Sequence, residues 1–150
     1  MIMLLGGVAL ARGEVAPYGR YAQVRSLGLG WGPPIDARLA WALQELPALL
    51  VPLLLWASTD YPAAGSPANR ALLLLFCSHY FNRSIVYPLS IHGGKPTPVV
   101  VSFLAFLFCA ANGYLQGRYL TKLYTYPSGW LTSPYFFAGF AIMIAGAAMN

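Results

Sequence analysis

The chain has 150 residues, of which 58% are hydrophobic and only 9% charged, with a formal charge of +5. A soluble globular domain carries about 25% charged residues, so this composition excludes an ordinary water-soluble domain and points to helices in lipid. At about 20 residues per crossing the length allows one membrane domain of a few spans, and the nine basic residues are scattered among apolar segments with no stripe that would suit nucleic acid.

Residues 1–12, from Met1 to Arg12, are apolar without a charged leader segment, and read as a shortened first span and not as a cleaved signal peptide. A loop with Arg12, Arg20, Arg25 and Arg38 follows. The second span covers about Leu39 to Ala57, and a Pro/Gly/Ser connector runs from Ser58 to Pro67. The third covers about Arg70 to Ile91 and is broken by His92-Gly-Gly-Lys-Pro-Thr-Pro98. The fourth covers about Val99 to Leu120. The aromatic stretch Tyr124–Trp130 reads as an interfacial belt. The fifth begins near Pro134 and is still apolar at Asn150. The expected fold is therefore all-α, a polytopic helical membrane protein with about four to five transmembrane helices in one domain. By the positive-inside rule the first and third loops face the cytosol, although Arg118 and Lys122 pull the other way.

Glu45 is the most informative residue, because a charge near the middle of a spanning helix costs about 2.5–3.5 kcal/mol on insertion scales. After Asp60 the chain has no acidic residue, whereas Arg70, Arg83, Lys95, Arg118 and Lys122 remain, so the partner of Glu45 is a base, a hydroxyl or a ligand. Arg38, Trp41 and Glu45 stand at i, i+3 and i+7, with Gln44 adjacent. Tyr80, Arg83 and Tyr87 repeat that spacing on the next span, with His79 beside them, and Asn112, Gln116 and Tyr119 do so on the one after. Three polar stripes on neighbouring spans are expected to face a shared cavity. Asn112 and Gln116 also fit simple interhelical hydrogen bonding, and Glu45 with Arg83 fits a structural ion pair. A carboxyl beside the phenol of Tyr80 would, however, form a pair able to donate to a carbonyl oxygen that gains negative charge in a dry site.

Other motifs carry less. Gly28-Leu-Gly-Trp-Gly32 lacks the spacing of a nucleotide fingerprint. Gly93-Gly-Lys95 suits either a phosphate or a plain turn. Cys77 and Cys109 sit in apolar runs as small core residues, and His79 and His92 have no partner at metal-ligand spacing, so no metal is expected.

Taken together, Tyr18-Gly-Arg20, Leu43-Gln-Glu-Leu-Pro47, His79-Tyr-Phe-Asn-Arg83 with Tyr87-Pro88, Gly93-Gly-Lys-Pro96, Asn112-Gly-Tyr-Leu-Gln-Gly117 and Gly146-Ala-Ala-Met-Asn150 resemble the steroid 5α-reductase family (3-oxo-5α-steroid 4-dehydrogenase), most of all its type 1 members. The resemblance covers nearly the whole chain. It implies a multi-span protein of the endoplasmic reticulum membrane that uses NADPH to reduce the C4–C5 double bond of 3-oxo-Δ4 steroids such as testosterone, progesterone and androstenedione. By motif, Glu45 and Tyr80 would hold the steroid 3-oxo group, and Trp41 and Gln44 would line the steroid pocket. Tyr18, Arg20, Arg83, Tyr87, Lys95 and Asn150 would contact NADPH. The resemblance also implies that these residues form the N-terminal part of a larger bundle, short of the C-terminal helices that complete the cofactor site. Two alternatives stand beside it: a double-bond reductase for polyprenoid or enoyl-thioester substrates, and a non-catalytic membrane protein that binds steroid or associates with a complete enzyme.

Overall fold

The computed structural model describes residues 31–149. Helical turns take about 79% of them, and strand is confined to one short antiparallel pair, β1 (Pro34–Ile35) against β2 (Thr97–Pro98), in the register Pro34 to Pro98 and Ile35 to Thr97. The helices are α1 (Ala37–Ala57), α2 (Pro62–Gly65), α3 (Pro67–Phe81), α4 (Tyr87–Ser90), α5 (Val99–Arg118) and α6 (Pro134–Ala148). Two π-helical stretches, Asn82–Val86 and Tyr119–Leu123, extend α3 and α5, and a 3-10 turn, Ser128–Thr132, precedes α6. The expected first span lies outside the described residues. The third is an unbroken helical run through α3, the π stretch and α4. Among the described residues two helices, Ala37–Ala57 and Val99–Leu123, are long and apolar enough to cross a membrane; α6 is apolar but shorter.

Local chemistry fixes the ends of these elements. Asp36 caps α1, its Oδ1 accepting from the backbone N–H groups of Arg38 (3.0 Å) and Leu39 (3.1 Å), donors that the first helical turn leaves without partners. Ser133 does the same for α6 through Phe136 N at 3.2 Å. The turn after α4 uses Gly93 at φ 66°, a left-handed conformation that a side chain disfavours. A Cβ on the next residue, Gly94, would stand 2.8 Å from both Ala37 Cβ and Ile91 Cγ2. That loop is therefore packed against the start of α1, where Arg38 Nε also donates to the Ile91 carbonyl at 2.8 Å.

The central contact joins α1 to α5. Ser102, Cys109, Gly113 and Gly117 form the buried stripe of α5, and the two glycines admit the backbone of α1. A Cβ on Gly113 would meet Ala48 Cα and Pro47 O at 3.0 Å, and one on Gly117 would meet Pro52 Cα at 2.9 Å. Small residues four apart are how helices approach closely where van der Waals packing, more than the hydrophobic effect, drives association. α1 runs as one helix through both prolines.

α3 lies beside this pair, and Leu49, Leu73, Cys77 and Leu120 make the apolar core. Asn69, 1% exposed, fastens it: its Nδ2 donates to the carbonyls of Leu120 (2.7 Å) and Tyr124 (2.6 Å), and its Oδ1 accepts from Tyr126 N (2.9 Å). A fully bonded buried amide of this kind holds the end of the α5 extension in one place. Facing outward are large apolar side chains, among them Leu39, Leu50 and Leu54 on α1, Phe108 and Leu115 on α5, and Phe137 and Ile144 on α6.

Candidate functional site

The polar residues of the interior converge between α1, α3 and α5. Glu45, 6% exposed on α1, accepts from Arg83 Nη2 at 2.6 Å through Oε1. Such a short charge-assisted contact is among the stronger hydrogen bonds a protein makes. The Cys109 thiol donates to its other oxygen, Oε2, at 3.7 Å. Arg83 comes from the π stretch and lies over the ring of Trp41, 4.9 Å from its centroid; single π turns inside helices are frequent at functional sites. Trp41 in turn packs on Tyr87, with 5.3 Å between ring centroids. Tyr80 projects from α3, its ring 5.2 Å from His79, and its phenol oxygen meets Asn112 Nδ2 of α5 at 2.9 Å.

Cys109 and Asn112 are three residues apart on α5 and so share a face. One reaches Glu45 and the other Tyr80, which brings the acid and the phenol to neighbouring positions along a single helix without a direct hydrogen bond between them.

Two adjoining cavities separate this cluster from α6. The larger, of about 560 Å³, lies between α3 and α6 and is bordered by Leu72, Phe76, His79, Tyr80, Trp130, Tyr135, Gly139, Phe140 and Met143, among others. The smaller, of about 490 Å³, is bordered by Trp41, His79, Asn82, Arg83 and Tyr87 on one side and by Ile142, Met143, Gly146 and Ala147 on the other. His79 and Met143 border both. Each volume lies in the range of small-molecule sites, about 300–1,000 Å³. The lining of the larger is mostly aromatic and aliphatic, with the Tyr80 and Tyr135 phenols, the His79 imidazole and the Trp130 indole N–H as its polar groups; the smaller has a guanidinium. The indole N–H groups of Trp41 and Trp130, one in the wall of each cavity, are buried with no acceptor among the described residues.

The expected site residues divide accordingly. Tyr80 borders the larger cavity, and Trp41, Arg83 and Tyr87 border the smaller. Glu45 borders neither and stands behind Arg83. Gln44, also buried, borders a recess of about 180 Å³ between α1 and the start of α5, beside Leu43, Ser102 and Phe103. Lys95 is exposed in the loop after α4. Tyr18, Arg20 and Asn150 lie outside the described residues. The third polar stripe is not one stripe: Asn112 reaches Tyr80, whereas Gln116 and Tyr119 are exposed. Gly113 and Gly117 take the face of α5 that meets α1, and that contact turns Gln116 outward.

Sequence reasoning gave Cys109 no part in this cluster and did not single out the glycine pair as a packing surface. Their signals were present: Cys109 stands three residues before Asn112, and Gly113-Tyr-Leu-Gln-Gly117 has small residues four apart. Among the described residues no cluster of three His, Cys, Asp or Glu side chains could hold a metal.

Comparison with known proteins meets this arrangement from another direction. Residues 95–150 match the family model described as 3-oxo-5-alpha-steroid 4-dehydrogenase. The chain is 46% identical over 142 residues to 3-oxo-5-alpha-steroid 4-dehydrogenase 1 of Bos taurus, covering 90% of this chain and 51% of that protein. To the Rattus norvegicus protein of the same name it is 43% identical over 136 residues, covering 90% and 50%. Similarity to 3-oxo-5-alpha-steroid 4-dehydrogenase 2 of Sus scrofa is 41% over 146 residues, covering 97% and 56%. The chain thus spans about half the length of the curated relatives it matches, and along that span it is similar to the 3-oxo-5-alpha-steroid 4-dehydrogenase family.

Proposed function

We propose that this chain forms the ketone-gripping half of a membrane reductase that saturates the C4–C5 double bond of 3-oxo-Δ4 steroids, with NADPH as the reductant. The observation that carries this reading is the position of Tyr80: a phenol held by Asn112 of α5 in the wall of a mostly apolar cavity of about 560 Å³, next to a smaller cavity whose wall holds the Arg83 guanidinium. A flat apolar ligand with one carbonyl suits the first. The relatives' names speak for a steroid over a polyprenoid or enoyl-thioester substrate.

In this reading the steroid lies between α3 and α6 with its 3-oxo oxygen at Tyr80 Oη. The phenol donates to that oxygen, and the bond strengthens as negative charge develops there, which lowers the barrier in a site from which water is excluded. Glu45 takes part through Arg83: the carboxylate holds the guanidinium in the cavity wall, and a paired guanidinium adds polarity there without an unbalanced buried charge. The smaller cavity suits the cofactor, since Arg83 complements an anion, Trp41 and Tyr87 offer aromatic faces, and the Trp41 indole N–H has no acceptor among the described residues. NADPH, when bound, supplies the hydride. Tyr18, Arg20, Lys95 and Asn150 complete the proposed cofactor contacts on the strength of the family motifs alone.

The outward apolar side chains of α1, α5 and α6 support a place within a bilayer, which we assign to the endoplasmic reticulum with the first and third loops cytosolic. Membranes carrying the chain should bind testosterone saturably, and Tyr80→Phe should weaken that binding. In a chain extended to the length of its relatives, Tyr80→Phe and Glu45→Gln should each reduce NADPH-dependent conversion by orders of magnitude. Near-normal conversion in both variants would refute the site.

A further inference from the structure

Asn112 borders neither large cavity, yet among the described residues it makes the one side-chain hydrogen bond at the Tyr80 phenol. It donates: Nδ2 approaches Oη at 2.9 Å. A phenol has one proton to give and oxygen lone pairs to receive. With the amide occupying a lone pair, and no protein acceptor for the Tyr80 hydroxyl among the described residues, the phenolic hydrogen is left for whatever enters the cavity that the ring borders. We infer that Asn112 is a positioning residue that makes Tyr80 a committed donor toward a ligand carbonyl. This inference rests on the proposed ketone site and adds to it the reason why the phenol points its proton into the cavity.

Three features make the arrangement more than incidental packing. Asn112 is half-buried, so water competes poorly for its amide. It is adjacent to Gly113, whose contact with the backbone of α1 fixes the rotation of α5 and hence the direction of the amide. It also shares its face with Cys109, whose thiol donates to Glu45, so one edge of α5 supplies donors to both polar groups of the proposed site. A donor behind the phenol polarises its O–H in the sense that strengthens donation on the other side.

Two near-isosteric substitutions separate this role from mere support. Asn112→Asp replaces the donor with an acceptor, which would capture the phenolic proton. Asn112→Leu removes the hydrogen bond and leaves the phenol free to rotate. The measurement is equilibrium binding of tritiated testosterone, and of its analogue lacking the 3-oxo group, to membranes carrying the chain. Asn112→Asp should weaken testosterone binding by roughly tenfold and Asn112→Leu by roughly threefold, the scale of one hydrogen bond. Binding of the 3-deoxy analogue should be unchanged in both, whereas a general loss of structure would weaken the two ligands alike. In a Tyr80→Phe background the Asn112 substitutions should add nothing, because the pair acts as a unit. If Tyr80→Phe weakens testosterone binding while both Asn112 variants bind normally, or lose both ligands equally, the inference is overturned. If Tyr80→Phe itself has no effect on testosterone binding, the underlying ketone site is wrong.

Discussion

Glycine pairs appear on two helices of this chain and do opposite things. On α5, Gly113 and Gly117 press against Pro47, Ala48 and Pro52, and an added Cβ would meet backbone within about 3 Å. On α6, Gly139 and Gly146 face the two cavities, and an added Cβ at either would meet nothing within 4 Å. The first pair closes a seam and the second keeps a cleft unfilled. The closed seam sets the rotation of α5, and with it Cys109 and Asn112, while the cleft is where a ligand of steroid size fits. Rigidity on one side serves recognition on the other, since a hydrogen-bonding group is useful only when its support does not move.

The contrast can be broken from either side. The largest effect is expected from Glu45→Gln, which leaves Arg83 without its carboxylate; breaking a largely buried pair costs about 3 kcal/mol. Unfolding in detergent, followed by alkylation of the buried Cys77 and Cys109, should move accordingly. Next comes Gly113→Leu, where overpacking the seam should cost about 2 kcal/mol in the same assay. Gly139→Phe should leave stability within about 0.5 kcal/mol, as befits a side chain entering open space. It should nevertheless weaken testosterone binding at least about tenfold, worth 1.4 kcal/mol, because the ring occupies the cavity. The smallest effect belongs to Gly139→Ala, a change to a better helix former with room for its methyl, expected to stabilise by about 0.5 kcal/mol. A Gly113→Leu chain as stable as the parent, or a Gly139→Ala chain as damaged as Gly113→Leu, would erase the distinction between seam and cleft.

Much of this was legible in the residues. Apolar runs bounded by Pro/Gly connectors located the helices to within a few positions, because interior helices in an apolar chain need little beyond length and punctuation. Glu45 stands out on cost alone, and a base is among the partners its position calls for; the structure selects Arg83 of the next span. The π stretch around Arg83 had no sequence signal. Gln116 faces outward, against the expectation from its polarity, because the closest packing goes to Gly113 and Gly117 beside it, residues with no side chain. Nor could spacing reveal that Glu45 stands behind Arg83 and not in the cavity wall; that depends on how deeply α1 is buried against α5.

The central claim is that a ligand ketone lies at Tyr80 in the cleft between α3 and α6. Photoaffinity labelling of membranes with a steroid enone activated by near-ultraviolet light, which attaches close to its own carbonyl, tests it directly. The account predicts adducts on residues 72–80 and 135–143, suppressed by excess testosterone and by Gly139→Phe. Adducts confined to the outward faces of α1 and α5, or indifferent to competitor, would contradict it.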